Sequence, residues 1–208
     1  MNKIAPDDFL ELLKSRRSVR KFSAEEVPEK DIDTLIQAAS FAPSGGNLQN
    51  WYFLAVRSRA VIEKMLGAVN EQIAETLPLL TSARAQKEFA DYSGYFRVFG
   101  EAPAVIAVIK KPYESLSSRI MKRYSIRYKT DAGIQGVSAA IENLLLMAHV
   151  LGYGSCWMTG PLIAKEKLER ILGIQGEDEL VALIPIGRYE KLPAYTGRKE
   201  VAEIRRFL

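Results

Sequence analysis

Residues Asp131–Met158 read DAGIQGVSAAIENLLLMAHVLGYGSCWM, and this run decides the fold. Its first part, Asp131–Leu151, has the apolar spacing of a long helix, with one face made of Ile134, Val137, Ile141, Leu144, Leu145 and Ala148. Leu146, Met147 and Val150 make the second half apolar on the other faces as well. A helix of this kind is buried on every side, in a core or against another subunit. We therefore predict a central helix that other parts of the molecule cover.

Periodicity places further elements on both sides of this helix. Further helices are predicted over Asp7–Ser15, from Pro28 to the residue before Pro43, and over Ala60–Ala74 and Lys165–Leu172. Strands are predicted over Trp51–Val56, Ala104–Ile109, Ser155–Met158 and Leu180–Gly187. Helices and short strands alternate without a steady βαβ rhythm, which indicates an α+β fold of undetermined strand order. With no repeat and no linker, residues 1–208 are expected to form one domain.

Composition excludes several classes of protein. The net charge is +4, but the basic residues are scattered, so we expect no nucleic-acid partner. One cysteine, Cys156, excludes an intrachain disulfide and a CxxC metal site. The N-terminal residues lack the apolar core of a signal peptide, and no apolar stretch approaches the ~20 residues of a membrane span. The sequence therefore predicts a soluble cytoplasmic protein with no membrane partner and no metal.

Two stretches fit a simple core pattern poorly. Residues Thr76–Gly100 are polar but carry five aromatic side chains, and Pro112–Thr130 carries tyrosines among basic residues. Aromatic residues on long excursions are typical of lids over a flat ligand. Packing of the same side chains on the core is an equally good interpretation.

Two constellations could bind a ligand. If Arg16–Arg20 is extended, Arg16, Ser18 and Arg20 share one side and form a clamp for a phosphate and a carbonyl; the alternative is a basic surface turn. The loop Ala42–Gln49, APSGGNLQ, offers a close backbone approach and polar side chains to a heterocycle. A simple helix-terminating loop would explain it equally.

Side chains that usually perform catalysis are scarce. His149 is the only histidine and lies on the apolar helix, where a satisfied core histidine is the expected role. Gly152 and Gly154 imitate the start of a dinucleotide fingerprint, but the third glycine is missing. No catalytic side chain is therefore assigned, and an enzyme of this kind would take its chemistry from a cofactor.

Five segments in this order resemble the nitroreductase family over nearly the whole chain. They are RRSVRKF at 16–22, APSGGNLQ at 42–49, the run at 131–158, IPIGR at 184–188 and the late pair Arg198-Lys199. The resemblance implies a central mixed or antiparallel sheet flanked by helices, in an interlocked homodimer. It also implies one FMN at each subunit interface. The sequence ends soon after Arg198, so we expect a short C-terminal arm.

The resemblance also assigns cofactor contacts. It implies that Arg16, Ser18 and Arg20 hold the phosphate, ribityl chain and pyrimidine edge, and that Arg198 returns to the phosphate. The loop residues Pro43, Ser44, Gly45 and Asn47 would come from the other subunit. Thr159 and Gly160 would line the ring near its reactive nitrogen, with Asn70 loosely matched to the pyrimidine edge. Arg17 and Met158 complete the predicted set.

The implied activity moves hydride from NADH or NADPH through flavin N5 to a nitroaromatic, a quinone or a similar small-molecule acceptor, by a ping-pong mechanism. One alternative is a specialised relative in the same fold, such as a dehalogenase, an azoline dehydrogenase or a flavin-consuming enzyme. Another is a flavin-binding protein without turnover. The sequence does not distinguish the acceptor or the preferred nicotinamide.

Overall fold

The computed structural model describes residues 4–127 and 131–208, and its elements confirm an α+β architecture. The helices are α1 (Pro6–Ser15), α2 (Glu29–Ser40), α3 (Arg59–Thr76), α4 (Ala83–Ser93), α5 (Leu116–Arg123), α6 (Ala132–Val150), α7 (Lys165–Leu172) and α8 (Val201–Ile204). The strands are β1 (Trp51–Val56), β2 (Ala104–Lys110), β3 (Gly154–Ser155) and β4 (Glu179–Gly187). Short 3-10 segments cover Gly45–Asn47, Leu77–Leu79, Gly94–Glu101 and Gly160–Ala164. No helix in the described ranges has both the length and the apolar character needed to span a bilayer.

The four strands form one sheet in the order β1-β2-β4-β3, and every neighbouring pair is antiparallel. Trp51 faces Lys110 across the first pair, and Ala104 faces Ile186 across the second. The predicted "mixed or antiparallel" sheet is thus antiparallel, with one parallel bridge between Ser18 and Ser155 at its edge.

The sheet separates two hydrophobic cores. Ile106 and Val108 of β2 pack into one core with α2 and α6, whereas Val105 and Ala107 pack into the other with α3 and α7. This division follows from the alternation of side chains along a strand. A strand apolar on both faces needs helices on both sides, and the chain supplies them.

The long helix α6 is covered on one face only within a single chain. Val137, Ile141 and Leu144 are fully buried, because α2 and the sheet pack against that face. Leu146 is half-buried, and Val150 is 57% exposed. The sequence left two ways to bury this helix, within a core or against another subunit. The core of one chain accounts for only part of its apolar surface.

Three segments differ from the prediction. The polar excursion Thr76–Gly100 is helical, because Ala83–Ser93 forms an amphipathic helix capped by the Ser82 hydroxyl. The excursion Pro112–Thr130 contains α5, while residues 128–130 lie outside the described part. The strand predicted over Ser155–Met158 is shorter, and Met158 pairs with Leu183 only through an isolated bridge.

Candidate functional site

The segment Arg16–Arg20 is extended and lies beside β3. Val19 N donates a 2.9 Å hydrogen bond to the Ser155 carbonyl oxygen, and the Val19 side chain is buried. Since side chains alternate along an extended chain, Arg16, Ser18 and Arg20 take the other side. The conformation on which the predicted clamp depends is therefore present.

The surroundings of Cys156 show where these three side chains meet. Burial raises the pKa of the Cys156 thiol, whereas the Arg20 guanidinium, the Ser18 hydroxyl and Arg16 each act to lower it. Two cations and a hydroxyl thus approach one buried thiol. This corner of the molecule is positively charged and suits an anionic ligand.

A cavity of about 210 Å³ opens beside this corner. Its lining is Arg20, Tyr92, Tyr95, Phe96, Cys156, Trp157, Met158, Thr159 and Gly160. The lining contains one guanidinium and no carboxylate, and aromatic rings form one of its walls. Such a cavity can hold a flat, electron-rich heterocycle with an anionic edge.

The aromatic wall comes from α4 and the following 3-10 segment. Tyr92 and Phe96 are nearly perpendicular, at 88°, with ring centroids 5.5 Å apart, and Tyr92 and Tyr95 are 5.9 Å apart. The Arg20 Cζ atom lies 5.6 Å from the Tyr95 ring centroid. Phe96 is buried while Tyr92 and Tyr95 are exposed. This excursion therefore both packs on the core and lines the cavity, so each earlier interpretation holds for part of it.

Arg16 is fixed by neighbours on α6. Its Nε lies 3.6 Å from a Glu142 carboxylate oxygen, and its side chain is only 18% exposed. Beside it, His149 Nε2 is 2.8 Å from the Ser15 hydroxyl. Burial lowers the pKa of His149, and the charges of Arg16 and Arg17 lower it further. His149 is thus a hydrogen-bonded, half-buried histidine, as its position on an apolar helix predicted.

The loop at Pro43–Asn47 lies apart from the cavity. Pro43, Ser44 and Gly45 line a second pocket of about 240 Å³ with the N-terminal half of α6, and the two pockets share no lining residue. The Ser44 hydroxyl accepts a 3.0 Å hydrogen bond from Gln49 N. Asn47 has a φ of 54° and is exposed, which keeps the loop tip at the surface.

Tyr113 closes over this loop. A Cβ on Gly45 would lie 2.9 Å from Tyr113 Cζ and closer still to the hydroxyl. A Cβ on Gly133 would lie 3.1 Å from Tyr113 Cβ. Glycine at both positions therefore allows the ring to pack against the loop and the start of α6.

The remaining predicted residues occupy different surroundings. Arg17 points away from the side shared by Arg16, Ser18 and Arg20, and its Cζ lies 4.9 Å from the Tyr195 ring centroid. Arg97 Nε donates a 2.7 Å hydrogen bond to Asn70 Oδ1, which ties Asn70 to the segment that carries the aromatic wall. Arg198 is exposed and donates only to the neighbouring Gly197 carbonyl among the described contacts. The structure thus brings Arg16, Ser18, Arg20 and Met158–Gly160 together.

Sequence reasoning missed several neighbours of this site. Cys156 and Trp157 directly precede the predicted residue Met158 and line the same cavity. Their position next to Met158 in the sequence could have indicated them. Glu142 lies two turns before His149 on α6, but nothing local in the sequence links it to Arg16. Within the described residues, no three histidine, cysteine, aspartate or glutamate side chains cluster in a way that could hold a metal ion.

The chain belongs to the nitroreductase family. The model of that family matches residues 13–188, which include the Arg16–Arg20 row, the Pro43–Asn47 loop and the cavity run up to Gly160. The match therefore covers the fold and nearly all of the site described above.

Individual relatives agree with this membership. A Methanothermobacter thermautotrophicus protein, provisionally named NADH dehydrogenase/NAD(P)H nitroreductase, is 31% identical over 89% of this chain and 79% of its own. The iodotyrosine deiodinase of Hydra vulgaris is 29% identical over 87% of this chain and 65% of its own. The crystal structure of a BluB-like flavoprotein from Clostridium difficile 630 superposes with a TM-score of 0.90. It is 31% identical and covers 96% of this chain and 98% of its own.

Proposed function

We propose that this protein is an FMN-dependent oxidoreductase that takes hydride from NAD(P)H and reduces a nitroaromatic, a quinone or a similar small acceptor. One observation carries the proposal: Arg20 lines a cavity that no carboxylate lines, and Arg16 and Ser18 act on Cys156, another residue of its wall. The family membership and the flavoprotein of similar structure support the same conclusion.

The residues fit a flavin mononucleotide. Arg16 and Ser18 supply a guanidinium and a hydroxyl for a phosphate and a ribityl chain, and Arg20 supplies donors for a pyrimidine edge. The run at Met158–Gly160 forms a wall for the ring system. The resemblance to the family implies that Arg198 joins the phosphate from the C-terminal segment, and Tyr195, three residues earlier, places that segment beside Arg17. When bound, FMN supplies the hydride acceptor that this chain lacks.

The protein's own contribution is charge and orientation. Arg20, at the cavity edge and stacked beside Tyr95, stabilises negative charge that develops at the pyrimidine edge of the cofactor. Phe96 and Tyr92 exclude water from one side of the cavity. The charge of Arg20 would favour a reduced, anionic cofactor over an oxidised, neutral one.

Protons for the acceptor come from solvent in this proposal. His149 is paired with Ser15 and is not among the cavity residues, and burial keeps the Cys156 thiol protonated. A quinone takes the hydride of NAD(P)H and one solvent proton to give the quinol and NAD(P)⁺. A nitroarene takes the same two electrons and two protons to give the nitroso compound and water.

We further propose that the site is completed by a second copy of the chain. The cavity of about 210 Å³ is smaller than the roughly 300–1,000 Å³ typical of ligand pockets. The Pro43–Asn47 loop lies elsewhere on the same chain, so a cofactor that it contacts would be one bound by another subunit. Helix α1 buries none of its residues, and its apolar Phe9 and Leu13 are exposed. A homodimer would cover that face and join the two half-sites.

A second candidate is reductive dehalogenation of a halogenated phenol. The iodotyrosine deiodinase of Hydra vulgaris is one of the relatives that favour it. The two candidates share the cofactor site and differ only in the acceptor, so one assay panel separates them.

The test begins with the purified protein. We expect it to carry about one FMN per chain and to bleach when NADH or NADPH is added without oxygen. Steady-state turnover is then measured with menadione, nitrofurazone and 3-iodotyrosine. FAD as the released cofactor, or no flavin binding at all, contradicts the proposal. Rapid deiodination with slow menadione turnover selects the second candidate, and bound FMN without turnover indicates a binding protein.

A further inference from the structure

The side chain of Arg16 is mostly buried but makes few contacts with polar groups. Only 18% of it is exposed, yet within residues 4–127 and 131–208 its guanidinium donates no hydrogen bond. Its one ion pair in these ranges is the 3.6 Å contact between Nε and a carboxylate oxygen of Glu142. None of its nitrogen atoms is among the fully enclosed polar atoms without a partner, so a ligand can reach them. Arg16 therefore offers a ligand hydrogen-bond donors that the described residues do not use.

The contact with Glu142 occupies one edge of this guanidinium. Arginine carries five N–H donors in a planar fork, one on Nε and four on the two Nη atoms. Since Glu142 approaches at Nε, the Nη donors remain for a ligand. Two such nitrogen atoms match the oxygen atoms of a phosphate group.

The backbone at Arg16 is held by the same helix, α6. Arg16 N donates a 3.3 Å hydrogen bond to the Leu12 carbonyl oxygen at the end of α1. The Ser15 hydroxyl donates to that carbonyl at 2.9 Å, so its oxygen accepts the proton of His149 Nε2 at 2.8 Å. Helix α6 thus holds the end of α1 through His149, and it holds the Arg16 side chain through Glu142, two turns earlier.

We propose that Glu142 is a positioning residue for the phosphate of the cofactor, because it holds Arg16 by Nε so that both Nη atoms face the phosphate. The inference rests on the proposed function, in which Arg16 contacts that phosphate. Arg17 and Arg20 act on the same neighbours as Arg16, so without Glu142 their charges would favour an Arg16 side chain turned toward solvent.

The loss of this anchor would weaken the phosphate contact. A free arginine side chain loses rotamer entropy when a ligand orders it, whereas a side chain already held by Glu142 does not. The carboxylate and the phosphate would lie at different edges of the guanidinium, with the cation between them. Their mutual repulsion is therefore the smaller effect.

The experiment compares FMN with riboflavin, which lacks the phosphate. We measure Kd for both by flavin fluorescence in the wild type, Glu142→Gln, Arg16→Ala and the double variant. Glu142→Gln keeps the length and helix propensity of the side chain and removes its charge. Glu63→Gln is the matched control, because Glu63 also pairs with an arginine, Arg59, at 3.1 Å on the surface of α3.

We expect Glu142→Gln to raise the Kd of FMN about threefold to tenfold and to leave the Kd of riboflavin unchanged. Glu63→Gln should change neither. Arg16→Ala should weaken FMN binding more, and Glu142→Gln should add no further loss to it, because the carboxylate acts through the guanidinium. Equal losses for FMN and riboflavin would indicate a general structural role, and additive losses a role independent of Arg16. Tighter FMN binding in Glu142→Gln would mean that the carboxylate competes with the phosphate. Each of these three results overturns the proposal.

A second readout requires no flavin. Inorganic phosphate is titrated while the Cε1–H resonance of His149 is followed near its midpoint, because the charge of Arg16 lowers the pKa of this histidine. We expect a saturable shift in the wild type and a phosphate Kd at least about three times higher in Glu142→Gln. If no flavin binds to any of these proteins, the proposed function fails, and the phosphate titration still decides this inference. Equal phosphate Kd values in the two proteins, or no response in either, would overturn it.

Discussion

A Cβ on Gly160 would lie 2.5 Å from Cε1 of Phe96 and closer still to Cδ1. Phe96 is 8% exposed and held edge-on by Phe89 and Tyr92, so its ring has little room to move. Gly160 is therefore the point at which the two walls of the cavity meet. A larger residue at this position would push the aromatic wall away from the backbone run.

We expect Gly160→Ala to lower the free energy of unfolding by about 1–3 kcal/mol, because the added methyl overpacks a filled site. Flavin affinity should fall with it, since the cavity walls separate. Urea unfolding and a flavin titration measure the two effects. Gly67→Ala is the matched control, because Gly67 is exposed on α3 and no atom lies within 4 Å of a Cβ there. The free energy of unfolding of Gly67→Ala should rise by roughly 0.5–1 kcal/mol. A Gly160→Ala variant as stable as the wild type would contradict the packing argument.

Charge at the row of Arg16, Ser18 and Arg20 supports a second prediction. Arg16→Ala or Arg198→Ala should weaken FMN binding by about 1.5–3 kcal/mol for each charge-assisted hydrogen bond lost. Lys14→Ala and Lys21→Ala should change it much less, because Lys14 is exposed and pairs with Glu11 at 2.7 Å. Fluorescence titration gives the affinities, and circular dichroism checks the fold. Equal losses in all four variants would mean a diffuse basic surface rather than a clamp.

Periodicity was sufficient for the elements with a strong apolar pattern. β1 matches the prediction in both bounds, and β2 and α6 differ by one residue at their ends. The two strands are short apolar runs and α6 is a long, mostly apolar segment, so length and composition define their bounds. Helix α4 was missed because Ala83–Ser93 is mostly polar and packs through few residues. β3 is too short for any pattern to define it. Strand order depends on pairing between distant segments, which a single sequence does not encode locally.

The site divides in the same way. Arg16, Ser18 and Arg20 were predictable because alternation within five residues needs only an extended chain. The partnership of Arg16 with Glu142 joins segments far apart in sequence and emerges only after folding. The separation of the Pro43–Asn47 loop from the cavity likewise depends on tertiary structure, which no local pattern in the sequence indicates.

The only histidine of the chain gives a pH prediction. The folded-state pKa of His149 is lowered by burial and by the charges of Arg16 and Arg17. Between that lowered value and about 6.5, the unfolded chain binds more protons than the folded one, so stability rises with pH across this window. The contribution of neutral His149 to the free energy of unfolding is fully present above about pH 6.5 and is lost as the pH falls through the lowered pKa. His149→Gln should flatten the dependence of unfolding free energy on pH in that window.

Proton NMR of untagged protein tests this directly, because a single histidine gives a single Cε1–H titration curve. We expect a midpoint below 6.5, the ordinary value for histidine. Arg17→Gln should move the midpoint upward, since it removes one of the two charges that oppose protonation. A wild-type midpoint at or above the ordinary value would contradict the placement of His149 beside the two arginines.

The last prediction separates the interface from the core, and it begins with the two kinds of apolar residue on α1 and α6. Ile141 and Leu144 are fully buried within one chain, so a charge at either position disrupts folding whatever the oligomeric state. Phe9 and Leu13 are 46% and 39% exposed, so a charge there disturbs the fold much less than a charge at Ile141 or Leu144 does. We therefore expect Phe9→Glu/Leu13→Glu to keep its helix content while the dimer dissociates and FMN is lost. Leu144→Asp should lose fold, dimer and FMN together.

Association and cofactor binding are linked in this prediction, because each cavity would need the partner's Pro43–Asn47 loop. Adding FMN should then strengthen dimerisation of the wild type, and dilution should release FMN. Sedimentation velocity with and without FMN, alongside circular dichroism, measures mass and folding together. A folded, flavin-loaded and active monomer at low micromolar concentration would refute the composite site. A Phe9→Glu/Leu13→Glu variant that remains dimeric would instead place the interface on another face, and the half-exposed face of α6 around Leu146 and Val150 is the surface to test next.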